Sequence, residues 1–392
     1  MGSKHTHSFH IFSSAGNIPV EKWNAILNNG DVFLSLEYLK ALETTLNTTV
    51  CFYYAIVYDK NQKPEAIAVF QIAPFLFLNK SQPKAITSNL VKDSKGRFSS
   101  IIMVCGNVFA AGEHGFLTSK GIDPETTMLV LRNCSKEVRI KYDALYPEKR
   151  ISGTLFKEFF PQTKCATDFL KEKGFLDFEI DVNMILPISS EWKTIEDYFD
   201  DVKAKYRTKA KSVFKKSKEL EIKSCSPTEI LAYKNEINVL FNNVISSSDY
   251  MFGVMTADCF AVLKENLKEK FSFTALFYKN QIIGFSTAFL NGNVLEANYV
   301  GFDYDLNVSK GIYQRLLYDY ISQAIENKVL QIHLGRTSEL LKSSLGAVPV
   351  PMVLYAKHSS KLKNFIMAGV LKKLSASPYE LRKPFKAKYY NK

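Results

Sequence analysis

The C-terminal half carries ionisable side chains in and just after a segment of alternating apolar residues, 293–302. Glu296 lies within this segment, Asp303 directly follows it, and Tyr299 and Tyr304 accompany them. A positioned carboxylate can remove a proton from a reacting group, and a tyrosine can return one. We therefore take Asp303 and Glu296 as candidate bases, Tyr304 as a candidate acid and Tyr299 as a substrate contact. The competing interpretations are a solvent-facing strand position for Glu296, a turn-forming Asp303, and tyrosines buried in a core.

A second group of residues has the chemistry to bind an anion. Ser309, Lys310, Gly311 and Ile312 open a segment of helical period that runs to Asn327, and the first amides of a helix attract phosphate. Ser309 is placed to cap this helix, and Lys310 adds a positive charge. We therefore expect these four residues to bind the phosphates of a cofactor or co-substrate. A plain helix start is the alternative for Gly311.

Three further basic residues are candidate substrate ligands. Arg336 follows a glycine at the end of a short apolar segment, where its guanidinium can hold a carboxylate or phosphate with two hydrogen bonds. Lys342 follows in the next predicted helix, and Arg207 lies in a lysine-rich one. A helix-capping arginine and a solvated lysine are the competing interpretations. His333 alternates with apolar neighbours and is interpreted as structural.

The histidines and cysteines do not have the spacing of a metal site. His5, His7 and His10 alternate near the start of the chain, and the six cysteines contain no Cys-x-x-Cys pair. We expect no metal, and reduced thiols in a cytoplasm. The start of the sequence also lacks the apolar core of an export signal.

Length and composition narrow the class of protein. The 392 residues exceed what one core usually fills, which favours two domains. Apolar residues make up 46% and charged residues 23%, so global disorder is excluded. Since no stretch reaches the roughly 18 apolar residues of a membrane-spanning helix, we expect a soluble cytoplasmic protein.

The net charge of +12 is concentrated in two segments. Residues 203–223 hold nine Lys/Arg and two Glu, and residues 357–392 hold ten Lys/Arg and one Glu. Each segment also repeats apolar residues at helical spacing, which predicts an amphipathic helix with positive flanks. Local basicity indicates an anionic partner. Among the explanations for these basic segments, we rank an anionic membrane lipid or a lipid-linked acceptor first, a tRNA second and simple solvation third. The first would make the protein membrane-peripheral. DNA is not expected.

Both halves give the same order of predicted elements, α-α-β-β-β-α-β-α-β. The second half has helices at 228–248, 257–267, 309–327 and 337–344, and strands at 271–278, 281–290, 293–302, 330–334 and 350–356. The first half has helices at 20–28, 35–46, 124–146 and 164–173, and strands at 50–58, 65–73, 99–105, 151–156 and 176–187. One helix connects strands 293–302 and 330–334, so we expect these strands to run parallel and ligands to gather at their carboxyl ends.

The sequence therefore predicts an α/β fold with mixed sheets, arranged as two similar domains and a tail. The expected ranges are 1–190, 191–360 and a basic amphipathic tail at 361–392. The glycine-rich loop 105–116 occupies, in the first domain, the position of the second domain's helix opening. We interpret this loop as a cofactor site that has decayed or that now binds the acceptor substrate, which makes the first domain acceptor-binding or degenerate. An ordinary long connection is the alternative for the loop.

This element order resembles that of the GNAT superfamily of acyltransferases, and a tandem pair of such domains resembles the Fem-type peptidyl transferases and their FemAB-like relatives. Residues 198–211 look like the basic helix that enters the family's second domain. Residues 309–313, 332–337 and 341–342 look like its helix opening, core strand and Gly-Arg turn. The specific resemblance covers roughly residues 190–357, and the first half is similar only in architecture.

The resemblance implies two tandem GNAT-like domains and an N-acyltransferase that moves an acyl group from acyl-CoA, such as acetyl-CoA, to an amine on a small or lipid-linked cell-envelope acceptor. Such enzymes usually open the helix with Gln/Arg-x-x-Gly-x-Gly/Ala, whereas this sequence begins the loop with Asn307 and ends it with the bulky Tyr313. The departure leaves open an aminoacyl-tRNA donor, as in the Fem-type enzymes. A non-catalytic protein that binds anionic lipid or an envelope precursor is the alternative from another class.

Overall fold

A computed structural model of the chain describes residues 7–28, 30–77, 91–92, 98–179, 181–246, 250–371 and 380–390. The chain forms two compact units. The first contains residues 1–180, 248–255 and 351–376, and the second contains residues 181–247, 256–350 and 377–392. Each unit has a sheet and a buried core of its own.

The first unit is built on one mixed sheet, and its elements are numbered along the chain. The strands are β1 (Ser8–Phe12), β2 (Cys51–Tyr58), β3 (Pro64–Phe77), β4 (Val91–Lys92), β5 (Phe98–Cys105), β6 (Phe116–Thr118), β7 (Gly153–Phe159), β8 (Leu176–Phe178), β11 (Tyr250–Phe252) and β17 (Val353–His358). The helices are α1 (Val20–Leu27), α2 (Leu36–Leu46), α3 (Pro124–Leu145), α4 (Pro161–Thr167), α5 (Phe169–Glu172) and α14 (Lys361–Leu371). The strand order is β1-β2-β3-β5-β7-β17-β8. In it β5 and β7 are parallel, and the other neighbours are antiparallel.

Helix α3 shows how the sequence fixes an element in this unit. Pro124 opens the helix, where a missing amide hydrogen costs nothing, and the Asp123 side chain accepts hydrogen bonds from the next two backbone amides. Leu131, Cys134 and Val138 then recur on one face and are fully buried in the core. The capping signal and the helical period therefore agree, and the predicted helix at 124–146 is confirmed.

The second unit carries the candidate site. Its strands are β9 (Val182–Pro187), β10 (Glu221–Ser224), β12 (Phe271–Tyr278), β13 (Gln281–Asn291), β14 (Val294–Phe302), β15 (Gln331–His333) and β16 (Val348–Pro351). Its helices are α6 (Ile195–Asp201), α7 (Ala204–Lys216), α8 (Pro227–Ala232), α9 (Lys234–Ile245), α10 (Ala257–Leu267), α11 (Tyr304–Lys310), α12 (Ile312–Glu326), α13 (Glu339–Ser344) and α15 (Ala387–Tyr390). The strand order is β10-β12-β13-β14-β15-β9-β16, with β14 and β15 parallel as the sequence predicts.

Two predicted strands are wrong as single elements. Residues 176–187 divide into β8, in the first unit's sheet, and β9, which pairs with β15 in the second. Residues 350–356 likewise divide between β16 in the second unit's sheet and β17, which pairs with β7 in the first. Alternation of apolar residues indicates extended backbone, but the sheet that a strand joins depends on distant partners. The mixed α/β architecture with two mixed sheets is confirmed.

Candidate functional site

Two parallel strands of the second unit separate at the site. Strands β14 and β15 pair in three places: Val294 with Gln331, Leu295 with Ile332, and Glu296 with His333. Beyond Glu296, β14 continues along β13 to Phe302. The chain beyond His333 continues instead along β9, where the Leu334 amide donates to the Met184 carbonyl at 2.8 Å. A gap therefore opens between the carboxyl ends of the two parallel strands.

A buried carboxylate and a buried histidine lie where this gap begins. Glu296 is 6% exposed and His333 is 8% exposed. The His333 Nδ1 atom lies 3.0 Å from Glu296 Oε1, and Nε2 lies 3.1 Å from Gln331 Nε2. Donation from the Gln331 amide to Nε2 suits the neutral tautomer that carries its proton on Nδ1, the ring atom closer to the Glu296 carboxylate. The solvent-facing interpretation of Glu296 is excluded, because the side chain is buried against a polar partner.

A β-bulge begins two residues after Glu296. Strands β13 and β14 lose register between Ala288 and Ser286, so that Asn298 and Tyr299 lie opposite Thr287. The Thr287 hydroxyl accepts a hydrogen bond from the Tyr299 amide at 3.0 Å. From α12, the buried Tyr320 hydroxyl donates to the Thr287 carbonyl, also at 3.0 Å. Since a bulge bends its strand, this one turns β14 at the point where it leaves β15.

Tyr299 is half-buried, and its ring packs against aromatic side chains of the core. Its ring centroid lies 5.1 Å from that of Phe241 and 6.0 Å from that of Phe260. Burial raises the pKa of its hydroxyl far above the ordinary value. The structure therefore favours the core interpretation of Tyr299 over the predicted substrate contact.

The helix that the sequence places from Ser309 begins instead at Ile312. Gly311 adopts a left-handed conformation, φ +65°, which ends α11 and starts α12, and glycine adopts this conformation without steric cost. Ser309 lies inside α11, where its hydroxyl donates to the Leu306 carbonyl. The cap of α12 comes from Asn307, whose Oδ1 accepts from the Tyr313 amide at 2.9 Å. The prediction that Ser309 caps the long helix is therefore wrong.

Lys310 and Ile312 also have other partners than the predicted phosphates. The Lys310 ammonium lies 2.5 Å from Glu219 Oε2 and 4.0 Å from the ring centroid of Tyr278. The hydrogen bond that its ammonium donates to Glu219 raises the pKa of Lys310. Ile312 is fully buried in the core. The structure therefore gives Ser309, Lys310 and Ile312 local structural roles and leaves Gly311 as the hinge between two helices.

Tyr313 covers the α12 end of the gap. Its ring stacks on Phe302, the last residue of β14, with centroids 5.4 Å apart and planes 23° apart. Its hydroxyl bonds to Ser338, which follows β15, and burial raises its pKa. Tyr313 thus contacts both Phe302, at the end of β14, and Ser338, in the chain that follows β15.

Asp303 and Tyr304 lie at the outer end of β14. Asp303 Oδ1 accepts hydrogen bonds from the amides of Asp305 at 2.8 Å and Leu306 at 3.0 Å, which makes it the cap of α11. Tyr304 is 48% exposed, and its ring packs against Phe302 at a centroid distance of 4.9 Å. This geometry supports the turn-forming interpretation of Asp303 over the predicted base, and it supplies no partner for Tyr304 as an acid.

A buried lysine organises the turn after β15. Lys342 is 4% exposed. Its ammonium donates hydrogen bonds to the carbonyls of Gly335, at 3.3 Å, and Arg336, at 2.5 Å. Burial lowers the pKa of Lys342 to about 7, against opposing contributions from Glu339 and Asp181. The interpretation of Lys342 as a solvated lysine is therefore wrong. Its ammonium stabilises the turn after β15 through these two hydrogen bonds.

Arg336 and Arg207 have different surroundings. Arg336 is partly buried, and burial lowers its pKa to about 10, so it remains cationic at neutral pH. Arg207 contacts the segment just before α7, with Nη1 at 3.6 Å from Asp200 Oδ1 and Nη2 donating to the Val202 carbonyl at 3.4 Å. Arg336 comes three residues after the end of β15, whereas Arg207 stabilises the start of the basic helix.

A recess of about 60 Å³ lies beside the first turn of α12. Helices α7, α12 and α13 form its walls. The lining residues are Tyr206, Lys209, Val213, Gln314, Leu317, Tyr318, Leu341, Ser344 and Leu345. Gln314 directly follows Tyr313, and Lys209 belongs to a helix whose lysines are exposed along its length. The recess therefore combines an apolar floor with a basic edge.

The equivalent position in the first unit is filled by its own chain. Beyond the paired residues of β5 and β7, Lys157 and Glu158 are buried. The Lys157 ammonium donates to the Asn107 carbonyl at 2.8 Å, and Glu158 Oε2 accepts from the Gly112 amide at 2.7 Å. The glycine-rich loop thus packs onto the end of β7.

Two classes of feature do not occur in the described ranges. No group of three or more His, Cys, Asp or Glu side chains there could hold a metal ion. Within the same ranges, no helix has the length and apolar character to cross a bilayer.

No family model matches the sequence, and no curated protein matches it. Solved structures match the chain in fold. FemX has a TM-score of 0.54 at 9% identity over 92% of this chain and 99% of its own. A tandem GNAT protein from the clavulanic acid biosynthesis pathway has 0.51 at 10% identity over 91% and 99%. The chain has the tandem GNAT fold. The L-PGS of Bacillus licheniformis shares this fold, with a TM-score of 0.50 at 11% identity over 92% and 98%.

Sequence reasoning missed three residues at the parted strands. His333 was interpreted as structural, and Tyr313 and Asn307 entered only as departures from a loop pattern. The pairing of Glu296 with His333 follows from the parallel register of β14 and β15, which a single sequence does not give. An apolar strand that contains a carboxylate, beside a strand that contains a histidine, is the signal that would have suggested this pair.

Proposed function

We propose that the protein is an N-acyltransferase, which moves an acyl group from an activated carrier to an amine. The observation that carries the proposal is the buried pair Glu296 and His333, placed where β14 and β15 part. Acyl transfer to an amine needs a group that accepts a proton beside a carbonyl-binding edge. The parted strands supply both in one place.

The chemistry follows from this placement. The amine nitrogen bonds to the acyl carbon while the bond from that carbon to the carrier's sulfur or oxygen breaks. The proton lost by the amine passes to His333 Nε2, after the Gln331 amide rotates away, and the Glu296 carboxylate stabilises the resulting imidazolium. The same proton then returns to the leaving group. Backbone amides of β14 beyond Glu296 are candidates for binding the carbonyl oxygen, because β14 no longer pairs with β15 there.

For the carrier we place acyl-CoA first. A slender thioester arm fits between two parted strands, and the recess lined by Gln314 and Lys209 offers a basic edge for its phosphates. Aminoacyl-tRNA is the second candidate, because the exposed lysines of α7 would suit a larger polyanion. In either case Tyr313 must move from Phe302 for the acyl group to enter from the α12 side.

For the acceptor we propose an amine on a small or lipid-linked molecule that also carries an anionic group. Arg336 is cationic at neutral pH and lies on the turn that closes the gap. It can hold a carboxylate or phosphate of the acceptor. Lys342 has no part in this contact, since its ammonium is buried on two backbone carbonyls.

Hydroxylamine as a small surrogate amine tests the proposal without knowledge of the natural acceptor. The full chain is incubated with hydroxylamine and either acetyl-CoA, longer acyl-CoAs or aminoacyl-tRNA, and acyl hydroxamate is measured by mass spectrometry. We expect formation above the uncatalysed rate with one class of donor. Replacement Glu296→Gln should lower the rate about a hundredfold or more.

The control variant is Glu265→Gln, which changes an exposed carboxylate of α10 and should keep the wild-type rate. Absence of turnover with every donor, together with an unshifted melting temperature in their presence, would instead favour a non-catalytic binding protein. Equal rates for the wild type and the Glu296 variant would remove the pair from the mechanism.

A further inference from the structure

Helix α14 is bonded to the first unit through Asn364. Asn364 Oδ1 accepts from the His358 amide at 2.8 Å, and its Nδ2 donates to the Gly174 carbonyl at 3.1 Å. Ser360, just before the helix, accepts from the Asn364 amide through its carbonyl. These bonds fix which side of the helix faces the unit.

The opposite face of α14 is apolar and exposed. Leu362 is 70% exposed, Phe365 is 79% exposed and Ile366 is 43% exposed. Residues three and four apart lie on the same side of a helix, so these three side chains form one patch, which Gly369 extends. A cluster of large apolar side chains on one helix face usually marks a contact surface.

The surroundings of this patch are positively charged. Lys361 and Lys363 flank it on α14, and the sequence from Lys357 to Tyr379 contains no acidic residue. Burial lowers the pKa of Lys357, and the nearby positive charges of Arg132 and Lys136 on α3 and of Lys361 lower it further. The patch therefore joins exposed apolar side chains to a basic border.

We propose that α14 lies flat in the interface of an anionic lipid bilayer, with Leu362, Phe365 and Ile366 inserted among the acyl chains. An interfacial helix of this kind requires an outward apolar face and basic flanks, and α14 has both. The stretch from Lys357 to Tyr379, which carries the patch, has no acidic residue, and this favours a negatively charged surface over a protein partner of mixed charge. This inference does not depend on the proposed acyl transfer.

Flotation of the full chain with vesicles tests this inference. The vesicles contain phosphatidylcholine alone or phosphatidylcholine with phosphatidylglycerol. We expect the wild type to bind the anionic vesicles and to leave them as salt rises. Phe365→Glu should weaken binding about tenfold to a hundredfold, and Lys361→Gln and Lys363→Gln should each weaken it about fivefold.

The matched control is Val239→Glu, at an apolar side chain of α9 in the second unit that is 60% exposed. It should bind as the wild type does. A Phe365→Trp variant should shift its fluorescence to the blue only with anionic vesicles. The inference is overturned if the wild type ignores anionic vesicles, or if Phe365→Glu binds them as well as the wild type. It is equally overturned if Phe365→Glu merely converts a dimer to a monomer. Acyl transfer to hydroxylamine in solution needs no vesicle and is judged separately.

Discussion

Lys342 should make the free energy of unfolding depend on pH. Burial lowers its pKa from 10.5 to about 7 in the folded chain. A shift of this size corresponds to a cost of about 5 kcal/mol for the folded state when the lysine is protonated in both states. The side chain tolerates this because its ammonium donates to the carbonyls of Gly335 and Arg336.

The direction of this pH dependence follows from the number of protons that Lys342 binds in the folded and unfolded states. Between pH 7 and pH 10.5 the unfolded chain keeps the Lys342 proton and the folded chain loses it, so the free energy of unfolding rises with pH. Below pH 7 both states are protonated and the full cost remains. From pH 7 to pH 9 this residue should add about 2 kcal/mol to the free energy of unfolding.

Urea unfolding at pH 7, 8 and 9 measures the effect as a difference between wild type and Lys342→Met. Methionine keeps the volume but leaves two carbonyls without their donor, so the difference at a single pH mixes two effects and only its slope is diagnostic. Lys218→Met, at an exposed lysine, is the control and should show no slope. A wild-type minus Lys342→Met difference that stays constant across this range would refute the lowered pKa.

Three further substitutions test the architecture of the site by urea unfolding. Tyr320→Phe removes the hydroxyl that donates to the Thr287 carbonyl at the bulge, and should lower the free energy of unfolding by about 1–3 kcal/mol; no loss would mean that the bulge does not need it. Asn307→Ala removes the cap of α12 and should cost about 1 kcal/mol, whereas an unchanged stability would place the cap elsewhere. Gly346→Ala adds a Cβ that clashes with the Phe385 ring, at a residue whose φ is +103°, and should cost about 3 kcal/mol or more; a neutral result would contradict that packing.

Local signals in the sequence were sufficient for the elements around the site. Helix α12 shows its apolar period from Ile312 onward, and the tight turns between β12, β13 and β14 mark two hairpins. Gly311 misled the prediction of the helix start, because one glycine in a helical pattern reads equally as a cap or an interior residue. Its left-handed conformation depends on the packing of the helices on either side of it.

The charged residues of the site were harder to assign. Glu296 stood out because a carboxylate in an apolar strand needs a partner, but the partner, His333, lies on another strand. Lys342 was predicted to bind an anionic substrate, with a solvated lysine as the alternative, because burial of a lysine depends on the fold around it. By residue type alone, Asp303 could be either a base or a helix cap. The hydrogen bonds that it accepts from the first amides of α11 favour the cap.

The most direct test of the central claim is a crystal structure of the chain with a thioether analogue of acyl-CoA, which cannot transfer its acyl group. We expect the acyl carbonyl between β14 and β15, within hydrogen-bonding distance of the β14 backbone beyond Glu296, with Tyr313 displaced from Phe302. An analogue bound elsewhere, or a chain at saturating analogue with Tyr313 still stacked on Phe302 and nothing between the strands, would contradict the proposed site.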